Sequence, residues 1–237
     1  MHKLIINADD FGLSKDVNDA ILEAHKFGTI TSTSLMANMG AFEHAINVYE
    51  KTLGIGVHLN LTWGNSLITN QPFNKYNKYK AILYLIKKDL VEKEFRKQIE
   101  KILEAGIRPD HLNTHHHIHA FRPIKETVIK LANEYHIYKI RWPKEKLNLN
   151  LKNLLMNLNL SKCPIKTTDN FFGFNQPILN DSFLNFKGTT ELCCHPSKSS
   201  NDTLNGKNIR TKEFEKLMSK EFLNNLKGIE LISFKEL

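Results

Sequence analysis

The chain has 237 residues, 41% of them hydrophobic and 24% charged, with a formal net charge of +8. It is long enough to bury a large core, and we read residues 1–237 as a single domain. Its three cysteines (Cys163, Cys193, Cys194) make neither a C-x-x-C metal pattern nor a disulfide framework, and no run reaches the roughly 18 apolar residues of a membrane span.

The opening "MHKLIINADDFG" has no charged leader followed by a long apolar stretch, so a cytoplasmic protein with no membrane partner is expected. The positive charge suggests an anionic partner, but the lysines are scattered among acids, as in "IKKDLVEKEFRKQIEK", and gather into no stripe. Lys, Asn and Ile are abundant together, the signature of an AT-rich genome. No nucleic-acid partner is expected.

In chain order, "KLIINA" (3–8) reads as a buried strand. "SKDVNDAILEAHKFG" follows as a helix with Ser14 as N-cap and Gly28 as stop. "ITSTSLMAN" (30–38) is β-branched and strand-like, 41–52 a short helix, and "GIGVHLNLTW" (54–63) a strand. Residues 65–80 are polar and read as a loop; 81–106 are strongly helical and end at Gly106. A strand enters "RPDHLNTH" after Pro109, 123–136 is helical, and "IYKIRWP" (137–143) is a strand. Helices are expected at 145–160 and 181–188, strands at 165–174 and 189–196, a helix at 210–228 and a final strand at 229–237. Strand and helix alternate throughout, which predicts parallel strands joined by helical crossovers. The economical closure at this length is an α/β fold of irregular, TIM-like (β/α) barrel type, with an open doubly wound sheet as the alternative. Either places the site at the C-terminal ends of the strands.

The polar residues fall where that rule asks. The first strand ends in Asp9 and Asp10, the third carries His58 and Asn60, and the fourth runs into "HLNTHHHIHAF", five histidines in nine positions. "IYKIRWP" carries Arg141 and "TTELCCHP" ends at His195. Any one of these has an ordinary explanation as a turn, a cap or a surface ion pair. Together at one rim they supply metal ligands, proton carriers and a cation. Pro109 and Pro123 bracket the histidine run against a helix. A strand ending near His115 and continuing as a loop lets one or two imidazoles reach a metal while the others shape the pocket.

"NADDFGLSKDVNDAI", "TSTSLMAN", "GIGVHLNLT", "RPDHLNTHHHIHAF" and "CHP", in that order, resemble the YdjC family of carbohydrate deacetylases, which includes chitooligosaccharide deacetylases. The likeness runs from residue 4 to beyond 196, though 145–185 matches nothing recognisable. The resemblance implies an irregular (β/α) barrel, a divalent metal and an Asp-His-His ligand set falling on Asp10, His58 and His115. It implies Asp9 as general base. The "CHP" histidine falls on His195, the expected general acid or orienting partner, and Arg141 is expected to keep Asp9 ionised. The family's frequent "HLDSHHH" is here "HLNTHHH"; Asn113 replaces a carboxylate, and altered tuning is expected, not a dead site. Asn60, Thr62, His117 and Asn113 are placed on the substrate side, with the 65–80 loop, Trp63 and Phe73 covering the sugar.

The expected reaction is metal-assisted hydrolysis of an N-acetyl group from a small acetylated oligosaccharide, a short and possibly phosphorylated chito-sugar. The resemblance implies Mg²⁺; imidazole ligands favour Zn²⁺ or another transition metal. The resemblance also implies a homodimer. The rivals are a metal-dependent phosphoesterase or nuclease, which would show more carboxylate ligands and a basic stripe, and a metal-buffering or sugar-binding protein, which leaves Asp9 and His195 without a role.

Overall fold

The computed structural model describes residues 2–73, 88–143, 165–174, 187–202 and 208–237. At its centre is β1 (Lys3–Phe11), flanked in parallel by β2 (Ser32–Leu35) and β6 (Thr189–Cys194). Beyond β2 lie β3 (Gly54–Leu59) and β4 (Leu112–Thr114), and beyond β6 lies β5 (Asn170–Gly173), giving the order β4-β3-β2-β1-β6-β5. The two-residue β7 (Glu230–Leu231) pairs with the start of β1.

All these pairings are parallel, as the strand–helix alternation predicts. The sheet curls, and a complete eight-stranded barrel is not what it shows. Among the described residues, the ladder past β4 continues only as single bridges, Leu112 to Ile140 and Lys139 to Lys166. The strand expected at 137–143 is thus reduced to one bridge on each side. A few residues after Lys166, β5 pairs with β6 at the other end of the sheet, so one short segment touches both ends of the curl.

The helices cover the outside: α1 (Lys15–Phe27), α2 (Phe42–Val48), α3 (Lys88–Glu104), α4 (Arg122–Glu134), α5 (Ile209–Leu217) and α6 (Lys220–Asn225). Ser14 caps α1 by accepting from the Val17 N–H, and Gly28 ends it in the left-handed region at φ 94°, as predicted. The helix expected over 210–228 is two, because Ser219 accepts from the Phe222 N–H and starts a second N-terminus. Residues 65–73 fold back through an antiparallel bridge from Asn65 to Pro72. The helix expected at 145–160, the loop beyond 73, the first seven residues of the helix expected at 81–106 and all but the last two residues of the helix expected at 181–188 lie outside the described residues.

Alternation along the strands sorts the side chains by face. Leu4, Ile6 and Ala8 of β1, Ile55 and Val57 of β3 and Leu192 of β6 join the outer core under the helices. Ile5, Asn7 and Asp9 point into the curl. Below, Ile5 meets Ile232 and Phe234 from the chain end, and the His111 ring stacks on Phe234 with centroids 3.9 Å apart. Small residues make room for this plug: a Cβ on Gly56 would lie 2.4 Å from the His111 ring. Above the plug the inner positions are polar. Among the described residues no helix is long and apolar enough to cross a membrane.

Candidate active site

Two consecutive aspartates in a regular strand point to opposite faces. Here β1 carries a register shift: Ala8 pairs with Thr33 and Phe11 with Leu35, so three residues of β1 span the space of two on β2. Asp10 takes φ 69°, the left-handed region, to make this bulge. The result is that Asp9 and Asp10 both reach the interior, and both are buried.

Asp9 is gripped by Arg141, whose guanidinium donates to Oδ2 at 2.5 Å and to Oδ1 at 2.8 Å. The same guanidinium donates to Glu191 Oε1 at 2.7 Å, so one fully buried arginine serves two carboxylates. Asn7 and Ser34 each donate to Asp9 Oδ1 at 2.9 Å. Burial would raise the Asp9 carboxyl, but the Arg141 charge, with His58 and His195, holds it well below the usual range. Burial pushes Glu191 up, against the pull of Arg141.

Asp10 is paired on its other oxygen with Arg210, which reaches in from α5 and is itself fully buried. The Arg210 charge outweighs burial and holds the Asp10 carboxyl well below its ordinary value. Asp10 Oδ1 accepts no well-formed hydrogen bond, yet two imidazoles point at it: His58 Nε2 at 3.2 Å and His115 Nε2 at 4.0 Å. Burial opposes protonation of His58, but Asp9 and Asp10 outweigh it and its pKa is raised; His115 is pushed well down, chiefly by burial.

His115 is presented in one tautomer only. Asn60 Oδ1 accepts from the backbone N–H groups of Thr62 and Trp63, at 2.9 and 3.1 Å, and its Nδ2 donates to the Trp63 carbonyl, so its orientation is fixed. The Thr62 hydroxyl donates to that oxygen at 3.2 Å. With that donation made, Thr62 Oγ1 accepts from His115 Nδ1 at 2.6 Å, which leaves His115 Nε2 bare and aimed at Asp10. Gln98 of α3 supports the chain by bonding both backbone groups of Asn60, and Glu94 ties Gln98 to the 66–68 turn. Asn60 and Thr62 thus orient His115, and their polar atoms are spent inside the protein, not turned to a substrate as expected. Asn113 is also fully buried: its amide lies 2.6 Å from His58 Nδ1, not at a substrate surface.

The histidine run leaves the strand at Thr114 and turns as a short 3₁₀ segment, His115–Ala120, in which His116 and His117 take left-handed φ angles of 57° and 52°. His119 bonds Thr114 Oγ1 at 2.6 Å and the Arg141 carbonyl at 2.8 Å, fixing the arginine's backbone to β4. Burial lowers its pKa to about 3, in keeping with a neutral structural ring. His117 packs edge-on against Phe171. Its pKa is pushed well down by burial and then by the Arg141 charge. His111, just before β4, belongs to the plug at the opposite end of that strand from His115.

His195 follows β6. Its Nε2 lies 3.9 Å from Asp9 Oδ2, and its backbone N–H donates to Glu213 of α5. Asp9, Asp10, His58, His115, His195 and Arg141 therefore converge. Arg210 and Glu213 were missed from sequence. Their signal is two charges one turn apart in "IRTKEFEKL", which a solvated helix would carry equally well.

Two groups of side chains could hold a cation. Asp9, Cys193 and His195 offer ligand atoms all within 4.8 Å of one another. Both oxygens of Asp9 are taken by Arg141, however, and the Cys193 thiol donates to Asp9 Oδ2 at 3.3 Å. Burial pushes that thiol well above its ordinary pKa, so it keeps its proton, and any cation there would face a guanidinium. Asp10, His58 and His115 fit better. A buried carboxylate oxygen without a well-formed donor and two imidazole Nε2 atoms converge on one point, and one carboxylate with two imidazoles is a transition-metal donor set with positions left open.

The model of the YdjC-like protein family matches residues 3–228. The carbohydrate deacetylase of Clostridium beijerinckii is 36% identical over an alignment covering 99% of this chain and all of that protein. The carbohydrate deacetylase of Halalkalibacterium halodurans is 34% identical, over 82% of this chain and 85% of that protein. The chitooligosaccharide deacetylase of Proteus mirabilis is 36% identical over 56% of each. Among solved structures, one from Enterococcus faecalis, provisionally named for cellobiose-phosphate cleavage, superposes with a TM-score of 0.82 at 26% identity, over 99% of this chain and 98% of that one. With the bulged aspartates, the facing imidazoles and this full-length similarity, the chain belongs to the YdjC-like family, alongside enzymes that are carbohydrate deacetylases.

Proposed function

We propose that the protein hydrolyses the N-acetyl group of an acetylated amino sugar, a short chito-oligosaccharide, with a divalent cation held by Asp10, His58 and His115. The observation that carries this reading is the meeting of His58 and His115 Nε2 at Asp10 Oδ1, 3.2 and 4.0 Å away. When bound, the cation supplies Lewis acidity to the acetyl carbonyl and lowers the pKa of water. Asp9, kept ionised by Arg141, accepts the proton of the attacking water. His195, 3.9 Å from Asp9 and open to solvent on one side, delivers a proton to the leaving amine. His117 and Trp63, whose ring lies 5.8 Å from that of His115, face the sugar. The imidazole pair favours Zn²⁺ or another transition ion over the Mg²⁺ expected from the family. The name of the Enterococcus faecalis structure supports a phosphorylated sugar within this class.

The test is acetate release from diacetylchitobiose and its 6-phosphate by metal-stripped protein, with Mg²⁺, Zn²⁺, Mn²⁺ or Co²⁺ restored singly. Acetate should appear only with metal and vanish in Asp9→Asn. His115→Ala should lose both metal and activity while remaining folded. Full activity in His115→Ala, or acetate release without metal, overturns the assignment.

A further inference from the structure

His115 has its tautomer dictated by the chain from Asn60; His58 does not. Its Nδ1 faces the Asn113 amide at 2.6 Å, and the two orientations of that amide are unequal: with Oδ1 toward the ring it also sets oxygen against the Val57 carbonyl and nitrogen against the Arg141 guanidinium, and only the reverse satisfies both ends. With Oδ1 toward the ring, His58 Nδ1 donates, Nε2 is bare, and Asn113 Nδ2 lies 3.0 Å from Ser34 Oγ and 3.3 Å from Asp9 Oδ1. In this arrangement the Ser34 hydroxyl donates to Asp9 Oδ1 at 2.9 Å. Reversed, Nδ2 donates to His58 Nδ1 at 2.6 Å and to the Val57 carbonyl at 3.2 Å. Oδ1 then accepts from Ser34 Oγ at 3.0 Å and from Arg141 at 3.1 and 3.2 Å. The His58 proton then sits on Nε2 and points at Asp10 Oδ1, 3.2 Å away. Only the first arrangement offers His58 Nε2 to a cation; the reversed one satisfies more donors and acceptors without it.

We infer that Asn113 is a positioning residue whose amide turns over as the cation binds, carrying His58 from its Nε2–H to its Nδ1–H tautomer. This rests on the reading that Asp10, His58 and His115 hold a divalent ion. In the neutral imidazole the proton lost from Nε2 is replaced by one on Nδ1. Ser34 turns its hydroxyl from Asn113 to Asp9 in the same event, so ion binding adds a donor to Asp9. The turn gives up the bonds to Val57 and Arg141 and so subtracts from ion affinity. A carboxylate at this position only accepts, and would hold the ion-ready tautomer at all times.

The test uses the full chain with Zn²⁺ as the probe. Nitrogen NMR on histidine-labelled protein, at alkaline pH where the His58 ring is neutral, should show His58 with a bare Nδ1 before Zn²⁺ and an Nδ1–H after it. Asn113→Asp should show the Nδ1–H form throughout and bind Zn²⁺ about tenfold more tightly by chelator competition. An Nδ1–H in the metal-free wild-type protein, or unchanged affinity in Asn113→Asp, overturns the inference while leaving the ion site standing. Zn²⁺ binding undiminished in His115→Ala overturns the site and the inference together.

Discussion

Arg141 is the only guanidinium on Asp9 among the described residues, and it bridges that carboxylate to Glu191 inside the curl. Arg141→Met keeps the aliphatic stem and removes four polar contacts of 2.5 to 2.8 Å. Two buried carboxyls are then left facing one another. Removing one partner of a buried ion pair costs about 3–5 kcal/mol, and with a second carboxylate stranded the upper end is expected. With a urea m-value of about 3 kcal/mol/M, the unfolding midpoint should fall by roughly 1.5 M. The deficit has a pH signature. In the wild type the Asp9 carboxyl is held low, so its contribution is complete above the unfolded value near 3.9 and is lost as pH falls through the folded one. Without Arg141, burial raises both carboxyls above their unfolded values, so the variant is penalised most at neutral pH and the gap to wild type narrows toward pH 4. Urea titrations at pH 7.5 and 4.5 read both quantities, and Glu191→Gln in the Arg141→Met background should recover part of the loss. A loss below about 1 kcal/mol, or one equal at both pH values, refutes the account.

Thr62→Val removes the acceptor for His115 Nδ1 and should weaken Zn²⁺ binding about 10–100-fold, while Thr62→Ser keeps it; chelator competition decides, and equal affinity in Thr62→Val would show that the tautomer is not set there. Gly56→Ala drives a methyl into the His111 ring and should cost about 1–3 kcal/mol or more in thermal unfolding, whereas Gly106→Ala, with open space but φ 79°, tests backbone strain alone. Ser14→Ala removes the cap of α1 and the bond to Asp202, and should cost about 1 kcal/mol by urea unfolding; no loss means water replaces the cap.

The order of strands and helices was legible because apolar runs and helical spacings record local burial. So were Asp9, Asp10, His58, His115, Arg141 and His195, because they end apolar runs that a parallel sheet must align. What the sequence concealed depends on geometry across strands. Nothing in "NADDF" fixes a bulge: aspartate tolerates positive φ better than most residues, but the register shift against β2 is what places Asp10 there. Asn60 and Thr62 looked like sugar contacts because polar residues beyond a strand usually face solvent; here the chain turns back and spends them on His115. The strand expected at 137–143 is reduced because its backbone bonds each neighbour at one point only, Leu112 on one side and Lys166 on the other. Arg210 was invisible because a charge in "NIRTKEF" reads as surface until α5 is docked.

The pairing of Asp10 with Arg210 spans 200 positions of sequence, and that of Asp9 with Arg141 spans 132. Half of the charge balance of the first strand is therefore written near the end of the chain. During synthesis β1 emerges with its two aspartates long before either arginine exists, so the early chain carries an acidic strand that has no reason to go inside. The curl can close around it only when α5 has left the ribosome, which makes folding of this site a late, long-range event.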